Sequence, residues 1–175
     1  LGVLNIPLRV TRQVLGWVQP ADPLQFTADR FPVWVLDGNA GQGVHYGFPH
    51  TPDGFGGDGL KLALHWPGVD TDAATVERGP LPSDSEGIED ALERFLPSAR
   101  GPLIAQRICL YTNTPDGHFI VDHHPEHPRV SLACGFSGHG FKFASVLGEV
   151  LADLAAGGKT DWPISFLGLS RFAQS

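Results

Sequence analysis

No methionine occurs anywhere in the chain, and only two cysteines do. Two thiols cannot cross-link a small secreted scaffold, so a reducing cytoplasm is the expected setting. Lysine and arginine together number 12 against 19 acidic residues, and they are scattered. The resulting formal charge of −7 excludes the basic surface that a nucleic-acid binder needs. No apolar run approaches the roughly 20 residues that cross a bilayer, so no membrane helix is expected. No basic-then-apolar leader opens the sequence, and no internal repeat or low-complexity stretch interrupts it. The absent methionine, with a start at Leu1 that is already in mid-pattern, reads as a piece of a longer protein. What is present suffices for a core. At 175 residues and 42% hydrophobic, the chain suits one globular domain or parts of two.

Taken in order, Leu8 to Val18 is rich in β-branched and aromatic residues and reads as a strand. Pro20 to Asp29 is a connector. Phe31 to Leu36 and Val44 to Phe48 read as a hairpin closed at Asp37-Gly38. Leu60 to His65 alternates, with Leu60, Leu62 and Leu64 on one face and Lys61, Ala63 and His65 on the other. That second face is either a solvated side or a pocket lining. Asp70 to Pro82 reads as loop. Ser83 and Glu86 match a capping box, and Ile88, Leu92 and Phe95 follow at helical spacing, which predicts a helix over Asp84 to Leu96.

Leu103 to Tyr111 reads as a strand with Ala105, Arg107, Cys109 and Tyr111 on one face, and Phe119 to Asp122 as its hairpin mate. Val130 to Cys134 is a further strand. Phe143 to Ala156 carries the clearest helical stripe (Val146, Leu147, Val150, Leu151, Leu154), stopped by Gly157-Gly158. An extended tail follows Thr160.

Several groups could carry chemistry. Gly54 to Gly59 satisfies G-x-G-x-x-G, but it lies between a proline-rich loop and a strand, where no helix N-terminus can face a phosphate. Gly135-Phe136-Ser137-Gly138-His139-Gly140 instead follows a strand and opens a helix, so free N–H groups and a helix dipole converge there on an electron-rich ligand. It misses the nucleophile elbow G-x-S-x-G because His139 replaces the last glycine. Lys142 stands in the first turn of the predicted helix, against the dipole, which either marks function or is an exposed lysine. Asp122 to His127 holds three histidines and two carboxylates, but Pro125 forbids the helical spacing of a zinc site and a solvated loop is expected. Cys109 has three readings: a core cysteine, a disulfide with Cys134, or a reactive thiol.

These residues carry a resemblance. Cys109-Leu-Tyr-Thr-Asn-Thr-Pro-Asp-Gly-His-Phe119, the Asp122 loop and Gly135-Phe-Ser-Gly-His-Gly-Phe-Lys-Phe143 resemble the C-terminal half of the monomeric sarcosine oxidase and N-methyl-tryptophan oxidase family. Tyr46-Gly-Phe-Pro49, Gly59 to His65 and Arg12-Gln-Val are similar to the same family, so the resemblance covers essentially the whole chain. It implies FAD held covalently through Cys109, with Gly138, His139, Gly140 and Phe141 against the flavin ring. It implies that Lys142 binds the substrate carboxylate and that Lys61 promotes reaction of reduced flavin with O2. Tyr46, His65, Tyr111 and Thr112 would line the substrate pocket. The implied reaction is oxidative demethylation of an N-methyl amino acid, with formaldehyde and hydrogen peroxide as products.

The family begins with a Rossmann segment that holds the ADP part of FAD, and no such segment is present here. The N-terminal FAD-binding half is therefore an expected partner, and the full-length protein is expected to be a monomer. His50 to Gly54 resembles an insertion beside the pocket. The expected class is α+β: a mainly antiparallel substrate-domain sheet over residues 1–100, then the C-terminal strands and helix of an FAD-binding domain over 101–175. A non-catalytic binding module on the same scaffold is the alternative. A hydrolase using Cys109 or Ser137 with His139 is weaker, for want of an orienting third group.

Overall fold

The computed structural model of the chain describes residues 6–38, 43–51 and 58–172. The G-x-G-x-x-G string and the inserted segment lie largely outside the described residues. The chain divides into two compact units: Thr11–Leu110, and Leu1–Val10 with Tyr111–Ser175.

The first unit is built on one sheet. Strands β1 (Arg9–Val18), β2 (Trp34–Asp37), β3 (Val44–Thr51), β4 (Gly59–Trp66) and β5 (Val69–Asp70) take the order β2-β3-β4-β1-β5, and β6 (Leu103–Asn113) also pairs with β1. β2 with β3, β3 with β4, β4 with β1 and β1 with β5 all pair antiparallel. The period of two in β4 works as predicted for Leu60 and Leu62, which are fully buried under helix α1 (Pro82–Phe95) with Val18, Ile88 and Leu92. Helix and sheet approach closely because Gly16 has no side chain; a Cβ there would collide with Ile88.

Helix α1 starts earlier than the capping-box reading. Pro82 at the first helical position has no N–H to lose and a φ already suited to the helix. Asp84, not Ser83 with Glu86, closes the entry: its carboxylate accepts from the Leu81 N–H at 2.7 Å. The same carboxylate takes a two-pronged bond from Arg12 of β1 at 2.7 and 2.8 Å.

The second unit pairs β7 (Ile120–His123) antiparallel with β8 (Ser131–Cys134). The predicted hairpin between the cysteine strand and Phe119–Asp122 is therefore wrong: β7 turns through the histidine loop onto β8. That loop is closed by backbone bonds, with His124 N–H donating to Val130 O at 2.8 Å and Val130 N–H to His127 O at 2.8 Å. Helix α2 (Ala144–Gly157) ends as predicted, with Gly158 left-handed at φ 71° and its N–H on Leu154 O. Leu147, Val150 and Leu154 of α2 are buried with Phe119 and Val121. The tail is not extended but forms two 3-10 turns, Ser165–Leu167 and Leu169–Phe172. Arg171 ties it down by donating to the carbonyls of His118 and Phe119 and to Asp116.

Candidate functional site

Sheet register gathers the first group, all within the Thr11–Leu110 unit. Lys61 of β4 lies opposite Trp17 of β1 and Phe48 of β3, and Ala63 lies opposite Tyr46. Directly opposed residues share a face, so this is the face of the sheet away from Leu60 and Leu62. The Lys61 Nζ stands 5.3, 5.0 and 6.0 Å from the ring centroids of Trp17, Phe48 and Tyr46. Tyr46 meets His65 edge-on at 6.0 Å and Phe48 at 6.1 Å. Lys61, Tyr46 and His65, singled out from the sequence, are thus brought together.

Trp17 and Phe48 were missed, because only the register places them beside the lysine. Burial pushes the Lys61 ammonium below the usual lysine range, and negative charge at Cys109 opposes that shift. Cys109 projects from β6 as a free, exposed thiol. It is neither a core residue nor half of a disulfide, and Cys134 is also free.

The second group lies in the other unit, on the bend between β8 and α2. Gly135, Ser137 and Gly138 all have positive φ, at 65°, 48° and 76°. For Ser137 that conformation is strained, and bonds on both sides hold it. Its N–H donates to Thr112 O at 2.9 Å and its hydroxyl to Gly135 O at 3.1 Å. Gly138 lies against the Tyr111 ring so closely that a Cβ would overlap it. Tyr111, Thr112 and Gly138 are therefore brought together.

His139 Nε2 is bonded to Gly117 O at 3.0 Å and its ring packs at a tilt against Phe119, 4.8 Å between centroids. With the Ser137 hydroxyl donated to a carbonyl and His139 held elsewhere, the Ser137–His139 hydrolase reading has no nucleophile–base pair. Lys142 is not in the first turn of α2. It belongs to a 3-10 turn, Phe141–Phe143, ahead of that helix, and its exposed Nζ donates to His139 O at 2.8 Å. Phe141 is 95% exposed, a bare aromatic ring next to the bend.

Each group, taken by itself, has chemistry that suits a flavin. An accessible thiol can form a thioether. A half-buried cation with no carboxylate partner among the described residues can face an electron-rich ring. The bend of Gly135, Ser137 and Gly138 at positive φ offers a planar ligand a glycine-rich backbone, with the Ser137 and His139 N–H groups already bonded to Thr112 O and Phe136 O.

Comparisons with known proteins agree. Over 172 residues the chain is 41% identical to monomeric sarcosine oxidase of Bacillus sp. (strain NS-129), covering 97% of this chain and 43% of that protein. It is 37% identical to N-methyl-L-tryptophan oxidase of Shigella dysenteriae serotype 1, covering 96% of this chain and 44% of that one. The chain thus spans less than half the length of these relatives. L-proline dehydrogenase from P. horikoshii shares the fold, with a TM-score of 0.74 at 21% identity over 97% of this chain and 41% of that one. The sequence profile of FAD dependent oxidoreductases matches residues 2–154, and the chain belongs to that family.

Proposed function

We propose that the chain is the substrate-binding and flavin-attachment part of an oxidase that demethylates an N-methyl amino acid. The observation that carries this reading is a half-buried Lys61 ringed by Trp17, Phe48 and Tyr46 in the same unit that presents Cys109 as a free, exposed thiol. The similarity to sarcosine and N-methyltryptophan oxidases supports it.

When bound, FAD supplies the redox chemistry: a hydride equivalent leaves the N-methyl carbon, O2 takes the electrons to become hydrogen peroxide, and water releases formaldehyde from the resulting imine. The chain's own residues hold and tune. Cys109 Sγ would hold the flavin through a thioether. Gly138, His139, Gly140 and Phe141 present backbone and one aromatic ring to the flavin. Lys61 places a positive charge where negative charge develops as O2 is reduced. Lys142 Nζ leaves the His139 carbonyl to hold the substrate carboxylate, exchanging one neutral acceptor for a charged one. Tyr46 and His65 in one unit, and Tyr111 and Thr112 in the other, are the residues assigned to the substrate. Residues 1–100 belong to the substrate domain and 101–175 to the FAD-binding domain, with Tyr111, Thr112 and Lys142 of the latter also assigned to the substrate. The ADP part of FAD is held by sequence outside this chain, in a protein that works as a cytoplasmic monomer.

The test is oxygen consumption by the intact protein with sarcosine and with N-methyl-tryptophan. Stoichiometric peroxide and formaldehyde are expected from at least one of them. Flavin-loaded protein inert to both would overturn the substrate class.

A further inference from the structure

We propose that Trp17 and Phe48 are positioning residues that clamp the Lys61 ammonium between their ring faces and keep it charged without cancelling its charge. This deepens the reading of Lys61 given above and rests on it.

A lysine carried out of water loses hydration and tends to give up its proton. Proteins usually offset that with a carboxylate, and among the described residues no carboxylate is paired with Lys61. Three aromatic rings are in cation–π range instead, at 5.0 to 6.0 Å. The arrangement follows from the sheet. Trp17 and Phe48 are the cross-strand partners of Lys61 on its two sides, so both rings flank one side chain. Trp17 is 4% exposed and fixed, while Phe48 is 40% exposed and closes the outer side.

The chemical consequence differs from that of an ion pair. A carboxylate would hold the ammonium and leave no net charge to act on anything else. A ring quadrupole stabilises the cation while the full unit charge remains. That charge is available to a neighbour that becomes anionic, in half-buried surroundings that screen it less than bulk water does. The rings thus oppose the effect of burial on the Lys61 ammonium.

The experiment is an NMR titration of the Lys61 Cε–Hε signal in the intact protein, assigned by its loss in Lys61→Arg. The variants are Phe48→Leu, which keeps the site apolar while removing the ring, and Phe48→Tyr, which restores a ring. Phe48→Leu is expected to lower the Lys61 pKa by about half a unit or more, from the usual strength of a desolvated cation–π contact. Phe48→Tyr is expected to leave it near the parent value. The pH above which flavin reoxidation fails should fall in step with the Phe48→Leu titration. If the partly exposed Phe48 site is too permissive to report, Trp17→Leu supplies the second probe.

An unchanged or raised pKa in both Leu variants would overturn the clamp and leave the rings as water-excluding walls. A lowered pKa with reoxidation unaffected at every pH would keep the clamp and instead defeat the oxygen role of Lys61.

Discussion

Two lysines carry opposite assignments, and single substitutions separate them. Lys142 is exposed and tethered only to a carbonyl, so its loss should cost little stability. Lys142→Ala should raise KM for carboxylate substrates roughly 10-fold or more, the worth of one charge-assisted hydrogen bond. An unchanged KM in steady-state kinetics would return Lys142 to the surface. Lys61→Met should slow reoxidation of reduced flavin by about 10²-fold or more, the scale for losing a placed charge. Flavin reduction should change much less, and stopped-flow traces of the two half-reactions give the comparison.

Lys61 was legible as a pocket candidate because one alanine separates it from His65 on a single strand face. Its ring neighbours were not, because Trp17 and Phe48 reach it only through register between strands far apart in sequence. Lys142 was placed one turn too far along the chain. The apolar stripe of α2 runs back through Phe143 without marking where the 3-10 turn gives way to the α-helix.

Whole elements are held by a few charged ties, and each tie has a testable signature. Arg12 joins β1 to the start of α1 through Asp84, with only 10% and 7% of the two side chains exposed. Arg12→Ala should lower stability by roughly 3–5 kcal/mol, because it leaves a buried carboxylate unpaired. Urea unfolding measures it.

In the other unit, the Arg171 guanidinium holds Asp116 down to about 2. A depressed carboxylate stabilises the fold above its unfolded pKa, close to 3.8, and the gain is lost as pH falls toward 2. Asp116→Asn should therefore melt below the parent at neutral pH and converge with it between about pH 4 and pH 2. A constant gap across that range would show that the Asp116 charge is not what matters.

At this scale β4, α1 and α2 were readable because their periodicities match one buried face each. The partner of β7 was not. A hairpin through Pro115-Asp116-Gly117 satisfies the turn chemistry, yet β7 pairs with β8 because the Asp122–His127 loop closes on itself through its own backbone.

For the molecule as a whole, the mixed α/β class with antiparallel sheets emerged from pattern, and the family from the two motif strings. The cysteine did not. Pattern leaves a core cysteine, a disulfide and a reactive thiol all open, and free cysteines are commonly buried and inert, whereas β6 presents Cys109 to solvent.

That exposed thiol is the centre of the account. The most direct measurement is the absorbance of the intact, flavin-loaded protein after denaturation and removal of small molecules. Yellow colour should stay with the parent polypeptide and be lost to the filtrate in Cys109→Ser. Colour that leaves the parent protein, or stays with Cys109→Ser, would contradict the tether.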